Sequence, residues 1–125
     1  GTIPALNAKG KREFTVYSGE DITALPLMLM GGHGVISVTA NVAPRLCAQF
    51  QAATLSGDFA AALKLQDRLM PLHYAMFVES SPGPVKYGVS LLGHCLPDTR
   101  LPLIPVMEST RKTVRAAMVH AGLLN

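Results

Sequence analysis

Between Val16 and Asn41 the chain reads V-Y-S-G-E-D-I-T-A-L-P-L-M-L-M-G-G-H-G-V-I-S-V-T-A-N, and no other stretch restricts the fold as tightly. Phe14 to Ser18 alternates aromatic and β-branched residues, which predicts a strand. Gly34 to Val38 is an apolar, β-branched run without full alternation, suited to a strand buried on both faces of a parallel sheet. Between them lies an apolar segment with helix signals. Thr23 stands where a cap would, Pro26 falls in the first turn, where its missing N–H does no harm, and Gly31-Gly32 marks the stop. A strand–helix–strand order with such short links predicts a βαβ unit.

In parallel α/β sheets, chemistry collects at the carboxyl ends of the strands. Here those ends carry Ser18-Gly19-Glu20-Asp21 and Thr39-Ala40-Asn41. Gly19 has no Cβ to keep a ligand from the backbone. Ser18 and Gly19 are therefore candidate ligand-facing residues. The competing reading is an ordinary strand-to-helix turn.

After Asn41 the strand signals stop. Pro44 opens a helix predicted to reach about Leu55, and Ser56-Gly57-Asp58 is a turn with Asp58 as the next cap. Phe59, Ala62, Leu63, Leu65 and Leu69 predict an apolar helix face, which Pro71 is expected to bend or break. Ser80 to Pro84 is a link, Val85 to Leu92 a short helix closed by Gly93, and Pro97 to Pro105 an extended connection. Ser109 is read as the cap of a final helix running through Ala121, with Gly122 as its stop. At the other end, Ile3 to Ala8 reads as the end of a helix leading into a Lys-Gly-Lys-Arg turn.

About half of the 125 residues (49%) are hydrophobic and only 15% charged, which excludes a disordered protein and predicts a large apolar surface in need of a partner. The net charge is +3, and basic residues cluster at Lys9, Lys11 and Arg12 and again at Arg111, Lys112 and Arg115. Phe14 and Tyr17 are the only aromatics near the first cluster, so solvated charge is a better reading than a nucleic-acid face. Cys47 and Cys95, far apart and both in apolar helical contexts, read as buried thiols rather than a disulfide. No secretory leader is visible, and the run from Ala24 to Met30 is too short to cross a bilayer, so the expectation is a cytoplasmic protein without membrane contact.

The titratable residues offer few constellations. Adjacent Glu20 and Asp21 read as helix capping and first-turn charge rather than a paired-carboxylate site. His33, between glycines, reads as a hydrogen-bonded structural histidine. His73, His94 and His120 are scattered without ligand spacing, and no metal site is predicted. Gly31 to Gly34 lacks the lysine and hydroxyl residue of a phosphate loop.

The segments S-G-E-D and G-G-H-G-V-I-S-V-T-A-N resemble the last two barrel strands of the dihydrodipicolinate synthase family. The likeness continues through R-L-M-P-L-H from Arg68, P-V-K from Pro84, R-L-P-L-I-P-V from Arg100 and H-A-G-L-L from His120. It implies an α/β chain forming the carboxyl-terminal part of a (β/α)8 TIM barrel: the last βα units, with two strands, over residues 1–43 and a helical carboxyl-terminal region over residues 44–125. A complete barrel takes roughly 250 residues, about twice this chain. The resemblance further implies a cofactor-free lyase of lysine biosynthesis that condenses pyruvate with aspartate semialdehyde through a lysine Schiff base, commonly as a homotetramer. In that family the isoleucine matching Ile36 lines the pyruvate site with its main-chain carbonyl.

A Schiff-base lysine must lose its proton near neutral pH, which burial beside the substrate promotes. Lys9, Lys11, Lys64, Lys86 and Lys112 all lie away from the predicted strand ends. By the resemblance the catalytic lysine is expected upstream of Gly1, together with the family's tyrosine, arginine and threonine pair; Tyr17, Tyr74 and Tyr87 do not match that tyrosine. The catalytic set of this chain is thus none, and the substrate-binding candidates are Ser18, Gly19 and Ile36. Two departures stand out: Ser80-Ser81-Pro82-Gly83 replaces the family's P-N-P pattern, and Ala8 to Phe14 is short for the helix and loop that should precede the strand. Sialic acid lyases and keto-sugar aldolases share the barrel and the lysine. A non-catalytic fragment or interaction module, or one complemented by an upstream barrel half, is the reading from another class.

Overall fold

The computed structural model describes residues 2–10 and 14–125. Lys11 and Arg12 of the first basic cluster lie outside the described residues, as does the middle of the short Ala8–Phe14 stretch. Helix α1 (Ile3–Gly10) is followed by strand β1 (Tyr17–Ser18), helix α2 (Ala24–Leu29), strand β2 (Gly34–Val35) and a 3-10 turn (Thr39–Asn41). Four longer helices complete the chain: α3 (Pro44–Leu55), α4 (Phe59–Ala75), α5 (Gly83–Leu91) and α6 (Glu108–His120).

β1 and β2 pair in parallel, Tyr17 opposite Gly34 and Ser18 opposite Val35, with α2 as the crossover. The strands are shorter than their composition predicts, because the flanking backbone groups find other partners. Before β1 the Val16 N–H donates to the His33 ring at Nδ1 (3.1 Å), and the His33 N–H returns to the Val16 carbonyl (2.8 Å). After β2 the chain turns at Ser37–Thr39 onto a carboxylate. Thr23 does not cap α2 with its side chain; its hydroxyl stays in the turn before the helix, bonded to Ser18 Oγ and the Glu20 carbonyl. Gly31 has φ +94°, and a Cβ there would stand 2.5 Å from Pro4 Cδ, so glycine is required where α1 docks on the end of α2. The Ile3 N–H fastens that contact to the Met30 carbonyl at 2.9 Å.

The core lies among the helices after Asn41. Leu69, Leu72, Met76, Val42, Val114 and Met118 are completely buried there. The face of α4 that enters it is Ala62, Gln66, Leu69, Leu72, His73 and Ala75. Phe59 and Leu63, expected on that face, are exposed instead, because α3 and α6 pack on the side of α4 opposite them. Pro71 lies inside α4 without ending it. A proline in a helix interior costs about 3 kcal/mol. Burying each of Leu69 and Leu72 is worth about 1.5–3 kcal/mol, so packing on both sides of Pro71 outweighs the lost hydrogen bond.

The starts of α3 and α4 obey local chemistry, whereas that of α6, like that of α2, does not. Asp58 caps α4 through the Ala61 N–H (3.0 Å), as expected, and Pro44 occupies the first turn of α3. α6, however, starts at Glu108, ahead of Ser109. Its leading N–H, on Met107, is taken by Glu79 Oε1 at 2.9 Å from the preceding loop, which makes a serine cap unnecessary. Cys47 is buried, but Cys95 is exposed and lies beyond α5, because the chain turns at Gly93 (φ +78°) before reaching it. No helix of the described residues is long and apolar enough to cross a membrane.

Candidate functional site

The carboxyl ends of β1 and β2 lie side by side, and the Ile36 N–H donates to the Ser18 carbonyl at 2.9 Å. This places the candidates Ser18, Gly19 and Ile36 on one edge. Gly19 is open, with nothing within 4 Å of where a Cβ would stand. The Ile36 side chain is 74% exposed, which removes the ordinary reading of a strand isoleucine as core. Ser18 is buried, and its hydroxyl is consumed locally. It donates to the Glu20 carbonyl (2.7 Å), accepts from the Glu20 N–H (3.1 Å) and meets Thr23 Oγ1 (3.1 Å). Its free hydrogen-bonding capacity toward a ligand is therefore small, whereas the Gly19 backbone is accessible.

Beneath this edge sits a buried polar cluster that pattern reading did not find. Asp21 accepts hydrogen bonds from the Ser37 hydroxyl, from the Val38 N–H (3.0 Å) and from the Thr39 N–H (3.1 Å). It does cap a helical turn, but that of Thr39–Asn41 rather than of α2. Ser37 Oγ in turn accepts from the Ala40 N–H at 2.8 Å. Thr39 Oγ1 meets His73 Nδ1 at 2.8 Å, which ties the strand end to α4. His73 and Thr39 are both buried, and His73 Nε2 has no partner among the described residues. Burial pushes the His73 imidazole below its ordinary value, with the Asp21 carboxylate acting in the opposite direction. Burial also pushes the Cys47 thiol up to about 11; Asp21 adds to that rise and a hydrogen bond with Ser37 opposes it. The only available sequence signal for this cluster was the coincidence of polar residues inside apolar runs, since the partners are 16 to 34 positions apart.

Other candidates fall elsewhere. His33 pins Val16 through its ring, the structural role read for it. Lys64 and Lys112 are exposed on α4 and α6, and Lys9 is exposed on α1. Lys86 is half-buried, and its ammonium donates to the Asp98 carbonyl. It borders a cavity of about 370 Å³ that Val38, Asn41, Ser81 and Cys95 also line, beyond the end of β2. Among the described residues no lysine stands at the end of β1 or β2, and no three histidine, cysteine or acidic side chains form a group that could hold a metal.

Comparison with other proteins adds a family to this geometry. The dihydrodipicolinate synthetase family model matches residues 2–121. The chain belongs to that family. It is 56% identical over 123 residues to the 4-hydroxy-tetrahydrodipicolinate synthase of Afipia carboxidovorans, covering 98% of this chain and 42% of that protein. It is 60% identical over 111 residues to the 4-hydroxy-tetrahydrodipicolinate synthase of Methylobacterium radiotolerans, covering 89% and 37%. Among solved structures, the dihydrodipicolinate synthase of Thermotoga maritima superposes with a TM-score of 0.91 at 37% identity, over 97% of this chain and 41% of that one. The chloride-inhibited Acinetobacter baumannii dihydrodipicolinate synthase, complexed with pyruvate, gives a TM-score of 0.87 at 39% identity, over 96% and 41%. The chain thus spans about two fifths of the length of the family members it matches. Its mixed α/β, mostly helical fold is that of part of the dihydrodipicolinate synthase structure.

Proposed function

We propose that this chain supplies one wall of the pyruvate site of a dihydrodipicolinate synthase. Residues 1–43 are the last βα units of a (β/α)8 barrel, with β1 and β2 as its last two strands, and residues 44–125 are the helical region behind them. The wall consists of the Ser18–Gly19 strand end and the main-chain carbonyl of Ile36. The observation that carries this reading is the side-by-side placement of the open Gly19 backbone and the exposed Ile36 at the carboxyl ends of parallel strands. That is where barrel chemistry collects.

The reaction needs an amine that adds to the pyruvate ketone, and the lysine that provides it belongs to the upstream part of the barrel. Amine addition forms a C–N bond and turns the ketone oxygen into a hydroxyl. The hydroxyl leaves as water when the imine forms. An enamine then attacks the aldehyde of aspartate semialdehyde, and ring closure follows. The carbonyl of Ile36 is suited to accept a hydrogen bond from that transient hydroxyl. Exposed Leu29 and Met30, and the exposed Phe59 and Leu63 of α4, offer apolar surface to the rest of the barrel and to other subunits of a homotetramer. The complete enzyme works in the cytoplasm.

The test is borohydride trapping with pyruvate, followed by mass spectrometry. The 125-residue chain alone is expected to gain no adduct. A single chain joining these residues to the upstream part of the Afipia carboxidovorans relative is expected to gain one reduced pyruvate, on an upstream lysine. An adduct on Lys64, Lys86 or Lys112 would overturn the assignment.

A further inference from the structure

The backbone around Ile36 is arranged so that its carbonyl is kept open. The parallel ladder gives the Ile36 N–H to the Ser18 carbonyl, and its next step would give the Glu20 N–H to the Ile36 carbonyl. That step does not occur. The Glu20 N–H is bonded to Ser18 Oγ at 3.1 Å instead, and among the described residues no donor reaches the Ile36 carbonyl. On the other side, the three residues after Ile36 are all held by one buried carboxylate. Asp21 accepts from the Ser37 hydroxyl and from the Val38 and Thr39 N–H groups at 3.0 and 3.1 Å. A buried carboxylate with three donors is a rigid anchor, since breaking any one bond leaves a buried polar group unpaired.

We propose that Asp21 is a positioning residue for the reaction: it clamps Ser37, Val38 and Thr39 so that the Ile36 carbonyl faces the reacting hydroxyl, while Ser18 Oγ keeps the competing Glu20 N–H away. This rests on the pyruvate-site reading above. It assigns Asp21 a role that neither acid–base chemistry nor capping of α2 would give it. It also explains why a buried serine hydroxyl sits at a substrate-facing strand end yet is spent on its own turn. Asp21 touches no reacting atom; it acts only through the Ser37 side chain and the Val38 and Thr39 backbone that follow Ile36.

The experiment uses the joined chain described above and measures, at saturating pyruvate, both the rate constant and the final amplitude of borohydride-trapped adduct. The amplitude counts folded sites, and the rate constant reports how well they are arranged. Asp21→Asn keeps the shape but puts a donor among donors. Ser18→Ala frees the Glu20 N–H to close the ladder onto the Ile36 carbonyl. Both variants are expected to lower the rate constant about tenfold to a hundredfold, the scale of small misplacements in an active site, with the amplitude of Ser18→Ala unchanged. Rate constants within twofold of the parent in both variants would overturn the proposal. So would an Asp21→Asn protein that loses amplitude alone beside a Ser18→Ala protein of normal rate, since Asp21 would then be purely structural. Ser37→Ala, which removes one of the three donors and leaves the carboxylate, is expected to fall between parent and Asp21→Asn in rate; a Ser37→Ala protein slower than Asp21→Asn would also count against the clamp. If the unsubstituted joined chain forms no adduct, the pyruvate-site reading itself fails, which is a separate result.

Discussion

The Arg68 guanidinium closes the carboxyl end of α6: its Nε and Nη2 donate hydrogen bonds of 2.9 and 2.5 Å to the Ala121 carbonyl, 53 residues further along the chain. A cation there faces the negative end of the helix and satisfies one of its free carbonyls. The next residue, Gly122, has φ +73°, and a Cβ on it would stand 2.6 Å from Arg68 Nη2. Arg68→Ala is expected to lower stability by about 1–2 kcal/mol, since charge-assisted hydrogen bonds contribute about 1.5–3 and this one is partly open to water. Gly122→Ala is expected to cost at least about 1–2 kcal/mol from the left-handed backbone alone. Urea midpoints at constant m-value measure both. A midpoint unchanged in Arg68→Ala would show that the contact adds nothing.

His73 makes stability depend on pH in one direction. Its folded-state pKa lies below the ordinary value of 6.5 because burial disfavours the imidazolium. The unfolded chain therefore takes up the proton first. The His73 contribution is fully present above pH 6.5 and is lost progressively as the pH falls from there toward the folded pKa. His73→Gln is expected to flatten that part of the stability–pH curve while lowering stability at pH 7.5, through the altered contact with Thr39. A stability that rises on acidification through this window, and only with His73 present, would contradict the assignment.

The two thiols are expected to differ sharply toward an alkylating reagent at pH 8. Cys95 is exposed, whereas Cys47 is buried with its pKa raised to about 11. Cys95 should be labelled within minutes, and Cys47 only on unfolding. The raised pKa also means that the Cys47 contribution to stability is complete below pH 9 and is lost as the pH climbs toward 11. Peptide mapping after a short pulse of iodoacetamide separates the sites, and rapid native labelling of Cys47 would refute its burial.

The orientation of α4 is tested by a pair of identical changes. Leu69 is fully buried and Leu63 is 54% exposed. Leu69→Ala should cost about 2–5 kcal/mol through lost burial and a cavity, whereas Leu63→Ala should stay within about 0.5 kcal/mol in this chain. Equal losses would mean that α4 is rotated from the position described. In the joined chain a larger effect of Leu63→Ala is expected, since its face is proposed to meet the rest of the barrel.

Local signals in the chain were read correctly wherever short-range physics decides. The Asp58 cap, the Pro44 start and the Gly31 and Gly122 stops all follow from residues within a turn of one another, and the parallel pairing follows from the short links on either side of α2. Readings that needed a distant partner went astray. Ser109 and Thr23 look like caps in sequence, but Glu79 and Ser18 hold the groups concerned. Periodicity assigned Leu63 to the core because it cannot say which side of α4 will meet α3 and α6. Of the candidate site, the strand end pointed to Ser18 and Gly19 and the family likeness alone to Ile36, whereas Asp21, Thr39 and His73 gave no usable spacing.

Residue order alone is enough to put a strand–helix–strand unit ahead of a run of helices, and the family likeness lies in motifs scattered from Ser18 to Leu124. Glycine, proline and β-branched residues act on their own dihedral angles, and such effects need no neighbour distant in the chain. It takes the folded chain to bring S-G-E-D onto S-V-T through one buried carboxylate, T-A-N onto R-L-M-P-L-H at Thr39 and His73, and this same segment onto H-A-G-L-L at Arg68 and Ala121. Buried polar groups must find partners wherever folding brings them, and those partners are chosen by packing rather than by spacing along the chain.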